Sequence, residues 1–431
     1  MDNSSAISAP EGAGAKRKLF GGAHARLLAL LLPASAAMYA GFQGIQQILI
    51  PAQVEAIDAA HKIENLALLT SVTSVAAVLG LLVGGTLSDR TTGRYGRRAP
   101  WLVASALCSA VLFLLLGMSV SLLAVMASYA LLWFTLNFYQ AAQTAILPDR
   151  VAISARGTAS AVLGLGAPVG ILLGVNYAAR VPRLEAYAGL AGFLLVVTAA
   201  LVVWGREQPV PAAAPAAAAP PQGAWHARAL LQLSILFSGF RSRDFTLAFV
   251  SRALMFLGAF TVTGYAFYIL QDYIGAGNLP EGSPAIAVSV LGSLQVGAWF
   301  LSVPLAGWLA DKFDRRKIVV GVASLGMAAS MLVPVLLPTW YGMVAFYVLV
   351  GIFFGSYMAV DLALMSLVLP DKSSEGRDMA VLSVATAGPQ FLSPLIAGVI
   401  ISYWGYNQLF YFGAAASLAG GLLVFMIRRV R

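Results

Sequence analysis

Gly85-Thr86-Leu87-Ser88-Asp89-Arg90 closes one long apolar run, and Gly307-Trp308-Leu309-Ala310-Asp311-Lys312 closes another. Leu147-Pro148-Asp149-Arg150 and Leu369-Pro370-Asp371-Lys372 make a second such pair. Both pairs are offset by 222 residues, since 307 less 85 and 369 less 147 agree. Chance can supply one match. Two at the same offset, each at the same place in its half, mark a duplicated unit. Repeats of this kind are the architecture of secondary transporters, with the solute site between the halves near the bilayer midplane.

The composition demands a membrane. Of 431 residues 59% are hydrophobic and only 10% charged, against about 25% charged in a soluble domain. The mean hydropathy is +0.82. Crossing the hydrocarbon takes about 20 mostly apolar residues, and twelve such runs can be counted, near 27–50, 63–88, 99–118, 121–146, 157–179, 187–204, 246–270, 286–310, 318–336, 341–366, 379–403 and 406–427. They lack the short alternating segments of a barrel. The expectation is an all-α membrane protein, twelve transmembrane helices in two pseudo-symmetric six-helix bundles: a tail over 1–26, a bundle over 27–204, a linker over 205–245, a bundle over 246–427 and a tail over 428–431. With the amino terminus in the cytoplasm, 23 of the 27 Lys and Arg fall on cytoplasmic segments, so both termini are expected there, in a plasma (inner) membrane. The net charge of +9 is then a matter of topology and needs no nucleic-acid partner. The first run, at 24 residues, exceeds the core of a cleavable signal and reads as a retained helix. Cys108 is the one cysteine, and His24, His61 and His226 lie outside the apolar runs, so neither a disulfide nor a histidine metal cage is expected. Pro209–Pro221 is an Ala/Pro tract that reads as an extended linker. Trp225–Phe240 reads either as an amphipathic helix on the cytoplasmic leaflet or as more linker.

The Gly-x-Leu-x-Asp-Arg/Lys motif with its basic cluster, between helices two and three, resembles the signature loop of the major facilitator superfamily. Ser88-Asp89-Arg90-Thr91-Thr92-Gly93-Arg94-Tyr95-Gly96-Arg97-Arg98-Ala99-Pro100-Trp101 and Ala359-Val360-Asp361-Leu362-Ala363 are similar to stretches of its glycoside–pentoside–hexuronide and sucrose-type sugar symporters. The resemblance implies the major facilitator fold and alternating access. It also implies a conformational latch of Gly85, Asp89, Arg90, Arg97, Arg98 and Asp149 in one half and Gly307, Asp311, Arg315, Arg316 and Asp371 in the other. In that latch Gly84 and Gly85 admit a neighbouring helix, Asp89 faces the start of helix eleven near Met379, and Arg97 and Arg98 pair with Asp149. The plainer alternative is that these charges only enforce topology. Sodium-coupled relatives carry two carboxylates on helix two, where this chain has Ala77 and Leu81, so sodium coupling is not expected.

Two ionisable residues lie well inside the predicted helices, Arg252 and Asp361. Each would cost about 2.5–3.5 kcal/mol facing lipid. Arg252 lies about 10 Å and Asp361 about 13 Å in from the same side at 1.5 Å per residue, so the two are expected to meet between helices seven and ten. They form either a permanent structural pair or a proton switch in which protonated Asp361 releases Arg252. Uncharged polar residues recur on single helix faces: Tyr39, Gln43, Gln46 and Gln47 on helix one, Asn137 and Gln140 with Tyr139 on helix four, Tyr265 and Tyr268 on helix seven. Gln295 with Trp299 and Tyr357 with Asp361 are i, i+4 pairs on helices eight and ten, and Asn176 and Gln390 lie on helices five and eleven. In the superfamily helices one, four, seven and ten line the central cavity. Amides and phenols donate and accept at once, which suits a polyhydroxyl solute. Any one of these residues taken singly is as well explained by a helix–helix hydrogen bond. Pro168, Pro389 and Pro394 lie among glycines on helices five and eleven, as hinges or simple bends.

The resulting expectation is a secondary transporter, not an enzyme, for a small solute of the sugar class (a disaccharide or glycoside). It would use protons as coupling ion, sit in membrane lipid as a monomer, and need no cofactor, metal or catalytic residue. The competing reading is a proton-driven efflux pump for amphipathic compounds or other small metabolites.

Overall fold

Hydrocarbon offers a backbone amide no hydrogen-bond partner, so a chain this apolar satisfies its peptide groups within helices. A computed structural model describes residues 22–151, 155–207, 237–368 and 375–428. Among the described residues twelve helices are long and apolar enough to cross a membrane. In the first half, α1 runs Gly22–Gly44 and on through a π-helical turn, Ile45–Leu49, into Ile50–Ile57. It is followed by α2 Lys62–Arg90, α3 Ala99–Met118, α4 Leu122–Arg150, α5 Arg156–Arg180 and α6 Arg183–Trp204. In the second half come α7 Arg243–Thr263, α8 Pro284–Phe313, α9 Arg316–Leu336, α10 Trp340–Leu367, α11 Glu375–Trp404 and α12 Tyr406–Phe425.

Two boundaries depart from the sequence expectation. α1 continues to Ile57, past the expected 50, because the polar residues near its end are satisfied by other helices. Buried Gln53 donates to the carbonyls of Leu116 (2.9 Å) and Ser119 (2.8 Å) and accepts from Tyr187 (3.0 Å). α7 stops at Thr263, and the chain resumes as a short turn, Ala266–Tyr268, and a second π-helical segment, Ile269–Gly275. Ser121, Ser283 and Thr339 cap α4, α8 and α10, each accepting from the backbone N–H three residues on, as N-caps do. Of the Trp225–Phe240 stretch, Phe237 onward forms part of a 3₁₀ turn, Phe237–Arg241, and the rest lies outside the described residues.

The duplication is visible in the packing. In the first half α1 packs on α5 and α6, α2 on α4, and α3 on α4 and α6. In the second half α7 packs on α11 and α12, α8 on α10, and α9 on α10 and α12. Every pairing recurs six helices later, and the halves meet along α2–α11 and α5–α8. Within a half, absent side chains set the spacing: a Cβ on Gly174 would sit 2.1 Å from the Ala40 carbonyl oxygen, and one on Gly80 2.2 Å from that of Phe134. Since α1 and α5, and α2 and α4, touch backbone to backbone, Gly174→Leu is expected to destabilise the protein by about 1–3 kcal/mol through overpacking. Gly164→Leu, on the same helix in open space, is expected to change little. Thermal unfolding of the two variants in detergent checks the contrast.

Candidate functional site

Four helices bring polar side chains to one hollow. α1 contributes Tyr39, Gln43 and Gln46 at i, i+4 and i+7, and α4 contributes Trp133, Asn137 and Gln140 at the same spacing. α2 adds Thr70, Thr73 and Ser74, and α11 adds Gln390 with Phe391 and Pro394. The cavity measures about 580 Å³, and among the described residues none of its lining side chains is charged. Ala77 and Leu81 are among the lining residues. Gln140 Nε2 donates to the Tyr39 hydroxyl (3.4 Å), Gln47 Nε2 to Gln43 Oε1 (2.6 Å) and Asn137 Nδ2 to the Trp133 carbonyl (2.8 Å). The Trp133 ring stands edge-on to Phe42 at 5.1 Å. Sequence patterning missed the α2 hydroxyls, although Thr70, Thr73 and Ser74 stand at i, i+3 and i+4.

Several residues grouped with these by sequence lie elsewhere. The Tyr139 hydroxyl is fully buried against Thr198 Oγ1 at 3.0 Å, joining α4 to α6. Asn176 donates to Ser293 Oγ (2.8 Å) at the α5–α8 seam. Tyr265 and Tyr268 donate to the backbone carbonyls of Pro394 (3.0 Å) and Pro51 (2.9 Å). Trp299 packs on Phe354 and Tyr357 on Phe256, both edge-on at 6.0 Å, and the Gln295 carbonyl lies against Gly351. The polar lining therefore comes from the first half plus α11, while the second half turns its tyrosines to packing and closure.

Arg252 and Asp361 meet as a buried ion pair. Arg252 Nη1 lies 2.8 Å from Asp361 Oδ2, and Asp361 is 1% exposed. Arg252 Nε donates to Thr386 Oγ1 (3.0 Å), and the guanidinium sits 5.6 Å from the centroid of the Phe256 ring. The pair thus ties α7, α10 and α11 together, and neither member lines the cavity.

The ends of the bundle differ. By alternation of the twelve helices, residues 22 and 428 lie at one end, the terminal end, and Ile57 and Lys62 at the other, the far end. The two halves clasp at the far end. Lys62 Nζ lies 2.8 Å from Glu55 Oε1 and 2.8 Å from Asp272 Oδ1, with its ammonium 4.9 Å from the centroid of the Tyr268 ring. Gln271 donates to Glu55 (2.6 Å), Ser402 to Glu64 (2.6 Å), and Arg180 to Ser289 (3.4 Å). The hydrogen bonds joining described residues of the two halves gather at this end. Towards the terminal end α2 is open, with Leu79 50% and Leu82 60% exposed. Sequence reading missed the far-end clasp because Lys62, Glu55 and Asp272 look like ordinary loop-proximal charges until the fold pairs them.

At the terminal end the latch residues take partners that differ in part from those expected. Arg98, buried, pairs with Asp149 (2.8 Å) and Asp89 (2.6 Å), and bonds Ser88 Oγ. Arg97 donates to the Asp89 backbone carbonyl rather than to Asp149. Glu207, unremarked in the sequence, accepts from the backbone N–H of Arg98 (2.8 Å) and Ala99 (3.0 Å) at the start of α3. Gly85 and Gly307 face open space, and the close approach belongs to Gly84, against Phe138. The Asp89 carboxylate, 61% exposed, bonds Arg98. Arg90 and Arg315 are exposed, Asp311 and Arg316 are 3.7 Å apart, and Asp371 lies outside the described residues.

The sequence model of the Major Facilitator Superfamily matches residues 31–299 and 253–431. Among solved structures, a peptide transporter (POT) in complex with sulfate aligns with a TM-score of 0.69 at 16% identity, over 93% of this chain and 94% of that one. A bacterial homologue of the human lysosomal transporter Spinster, in an inward-facing and unoccupied conformation, aligns with a TM-score of 0.61 at 12% identity, over 94% of this chain and 95% of that one. At such identities the likeness is one of fold. No curated protein sequence matches the chain.

The clasp makes a prediction independent of the solute. Lys62→Met removes both far-end ion pairs, whose members are 14–32% exposed. Partly exposed pairs contribute about 1 kcal/mol, so opening at the far end is expected to become roughly fivefold easier. A membrane-impermeant maleimide, added from the far side to a Thr70→Cys, Cys108→Ser protein, should react correspondingly faster. An unchanged rate would place the closing energy elsewhere.

Proposed function

The chain belongs to the Major Facilitator Superfamily, and on that premise we propose that it moves a neutral, hydroxyl-rich solute, a disaccharide or other glycoside, by proton-coupled symport. It is a multi-pass membrane transporter and not an enzyme. The observation that carries the solute assignment is the cavity lining: five amides (Gln43, Gln46, Asn137, Gln140, Gln390), three hydroxyls on α2, and the rings of Tyr39, Phe42, Trp133 and Phe391, without a charged side chain. A charged solute would enter such a site at a desolvation cost with no counter-charge. A sugar replaces its water hydrogen bonds with amide donors and acceptors and lays its apolar ring face on an aromatic one. The 580 Å³ volume lies within the range of small-molecule pockets, about 300–1,000 Å³. One chain builds the whole cavity, which suits a monomer. The concentration of Lys and Arg at the terminal end supports a cytoplasmic location for it, in a plasma (inner) membrane.

Coupling is assigned to the Arg252–Asp361 pair. Closed, it holds α7, α10 and α11 in one arrangement. Protonation of Asp361 neutralises the carboxylate, removes the Coulomb attraction and frees the three helices to shift. The pair lies outside the cavity lining, so its effect on the solute passes through α11, which carries both Thr386 and Gln390.

A second reading has its own observation: Val75, Val78, Leu79 and Leu81 give the cavity an apolar wall on α2, which suits an amphipathic compound moved outward. Purified protein in liposomes, tested over a sugar panel and a set of amphipathic cations and neutrals under imposed pH and sodium gradients, separates the two. The expected result is accumulation of a glycoside driven by a proton gradient and indifferent to sodium. Movement of amphipathic compounds with no sugar transported or competing would overturn the sugar assignment. Gln43→Ala and Gln140→Ala are each expected to raise KM about tenfold, the loss of roughly one good hydrogen bond to the solute. Asp361→Asn is expected to keep solute exchange but lose proton-driven accumulation. Undiminished accumulation would make the pair purely structural.

A further inference from the structure

The terminal-end portions of α8, α9 and α10 enclose an apolar groove of about 370 Å³ that the solute cavity does not reach. One wall is the α8 stripe Leu305, Leu309 and Phe313 at i, i+4 and i+8, and Val322 and Ile352 form the others. The polar side chains along it are already satisfied by backbone: Ser302 Oγ donates to the Trp299 carbonyl (3.1 Å) and Ser356 Oγ to the Ile352 carbonyl (2.7 Å). Apart from these two serines and Arg315 the lining is apolar, and the groove is fitted to hydrocarbon. Ser302 to Phe313 spans eleven residue steps, which at 1.5 Å per residue is about 16 Å. That is half of the ~30 Å hydrocarbon thickness, the reach of one acyl chain in one leaflet.

The mouth of the groove carries Lys312, Arg315 and Arg316 against the two carboxylates Asp311 and Asp314. Arg315 lines it and is exposed, and its guanidinium has no hydrogen-bond or ion-pair partner among the described residues. Lys312 beside it lies over the ring of Trp308, 4.5 Å from the centroid, and Asp311 reaches only Arg316, at 3.7 Å. The corresponding loop of the first half differs: there Arg98 is buried and bound by two carboxylates. A one-chain apolar slot ending at a free guanidinium, at the level where headgroups lie, has the shape and charge of an anionic amphiphile. A zwitterionic headgroup would bring its own cation against Lys312 and Arg315, and a second copy of this chain would need a far wider surface than a slot of this volume.

We infer that this groove is a binding site for an anionic phospholipid, one acyl chain lying between α8, α9 and α10 and the phosphate held by Arg315. The guanidinium presents paired N–H donors to two phosphate oxygens. The bound phosphate braces the short connection between α8 and α9, beside Arg316, which already faces Asp311.

The test uses the delipidated full chain in detergent, titrated with phosphatidylglycerol, phosphatidylcholine or oleate and read by native mass spectrometry as the bound fraction at each concentration. The wild type is expected to hold one phosphatidylglycerol about fivefold more tightly than phosphatidylcholine, the increment of one basic side chain at an anionic headgroup. Arg315→Ala is expected to abolish that preference and Arg315→Lys to keep part of it. Arg206→Ala, a basic residue at the same end but outside the groove, is expected to leave it intact. Val322→Trp, which fills the slot from an exposed position, is expected to weaken both phospholipids. Equal binding of the two phospholipids, a preference untouched by Arg315→Ala, or tighter binding of oleate than of phosphatidylglycerol would each overturn the assignment.

Discussion

Lipid gives no hydrogen bonds, and most of the molecule's arrangement follows from that one constraint. Each polar side chain carried into the bilayer has to find its partner within the protein. Gln53 meets two carbonyls at the end of α3 and the hydroxyl of Tyr187. Tyr139 meets Thr198. Arg252 meets Asp361 and Thr386. These contacts fix which face of each helix turns inward, and with it the register of the bundles. The amides and hydroxyls of α1, α2, α4 and α11 instead surround a hollow. Their remaining donor and acceptor capacity is what the proposed solute would use.

That same division explains what the sequence could and could not disclose. Twelve spans were legible because a run of about 20 apolar residues has one explanation in a chain so poor in charge. The duplicated loops at a single offset announced two bundles. Arg252 and Asp361 were legible as a pair because two lone charges at matching depth have few other options. The polar faces were only half legible. Tyr139, Asn176 and Tyr265 carry the same donors and acceptors as Gln140 and Gln390, and periodicity places them all on inward faces. Whether a donor ends on a neighbouring helix or in a cavity depends on a rotation of a few tens of degrees about the helix axis, which one sequence does not encode locally. The clasp at the far end was hidden for a related reason. Asp272 stands 210 residues from Lys62, and charge at a span boundary reads as solvation until the fold is known.

Symmetry in packing coexists with asymmetry in contact. Each half repeats the helix pairings of the other, and π-helical segments fall at comparable places, Ile45–Leu49 and Ile269–Gly275. Yet the basic loop of the first half is tied to Asp89, Asp149 and Glu207, while in the second Arg316 faces Asp311 and Lys317 donates to the Ile427 carbonyl. Duplication set the backbone, and side-chain divergence then gave the halves separate work. The first half, with α11, furnishes the cavity wall, and the second holds the buried ion pair.

The distribution of contact strengths suits the alternating access that the family resemblance implies. Inside a half, helices approach so closely at Gly174 and Gly80 that even a methyl group would clash with backbone; such contacts deform only at a cost of kilocalories. Between the halves, the far-end clasp is one partly exposed ion pair, Lys62–Asp272, hydrogen bonds to Glu55 and Glu64, and the buried hydroxyl of Tyr268 on the Pro51 carbonyl. Partly exposed pairs are worth about 1 kcal/mol or less each, and on separation their charges return to water with little penalty. A seam of that kind opens and recloses many times without disturbing the bundles on either side. A greasy seam would hold too firmly, and a seam of buried charges would strand them on opening. Soft contacts between the halves, and the Arg252–Asp361 pair inside one half where it stays enclosed, suit two bundles that move as bodies around the cavity.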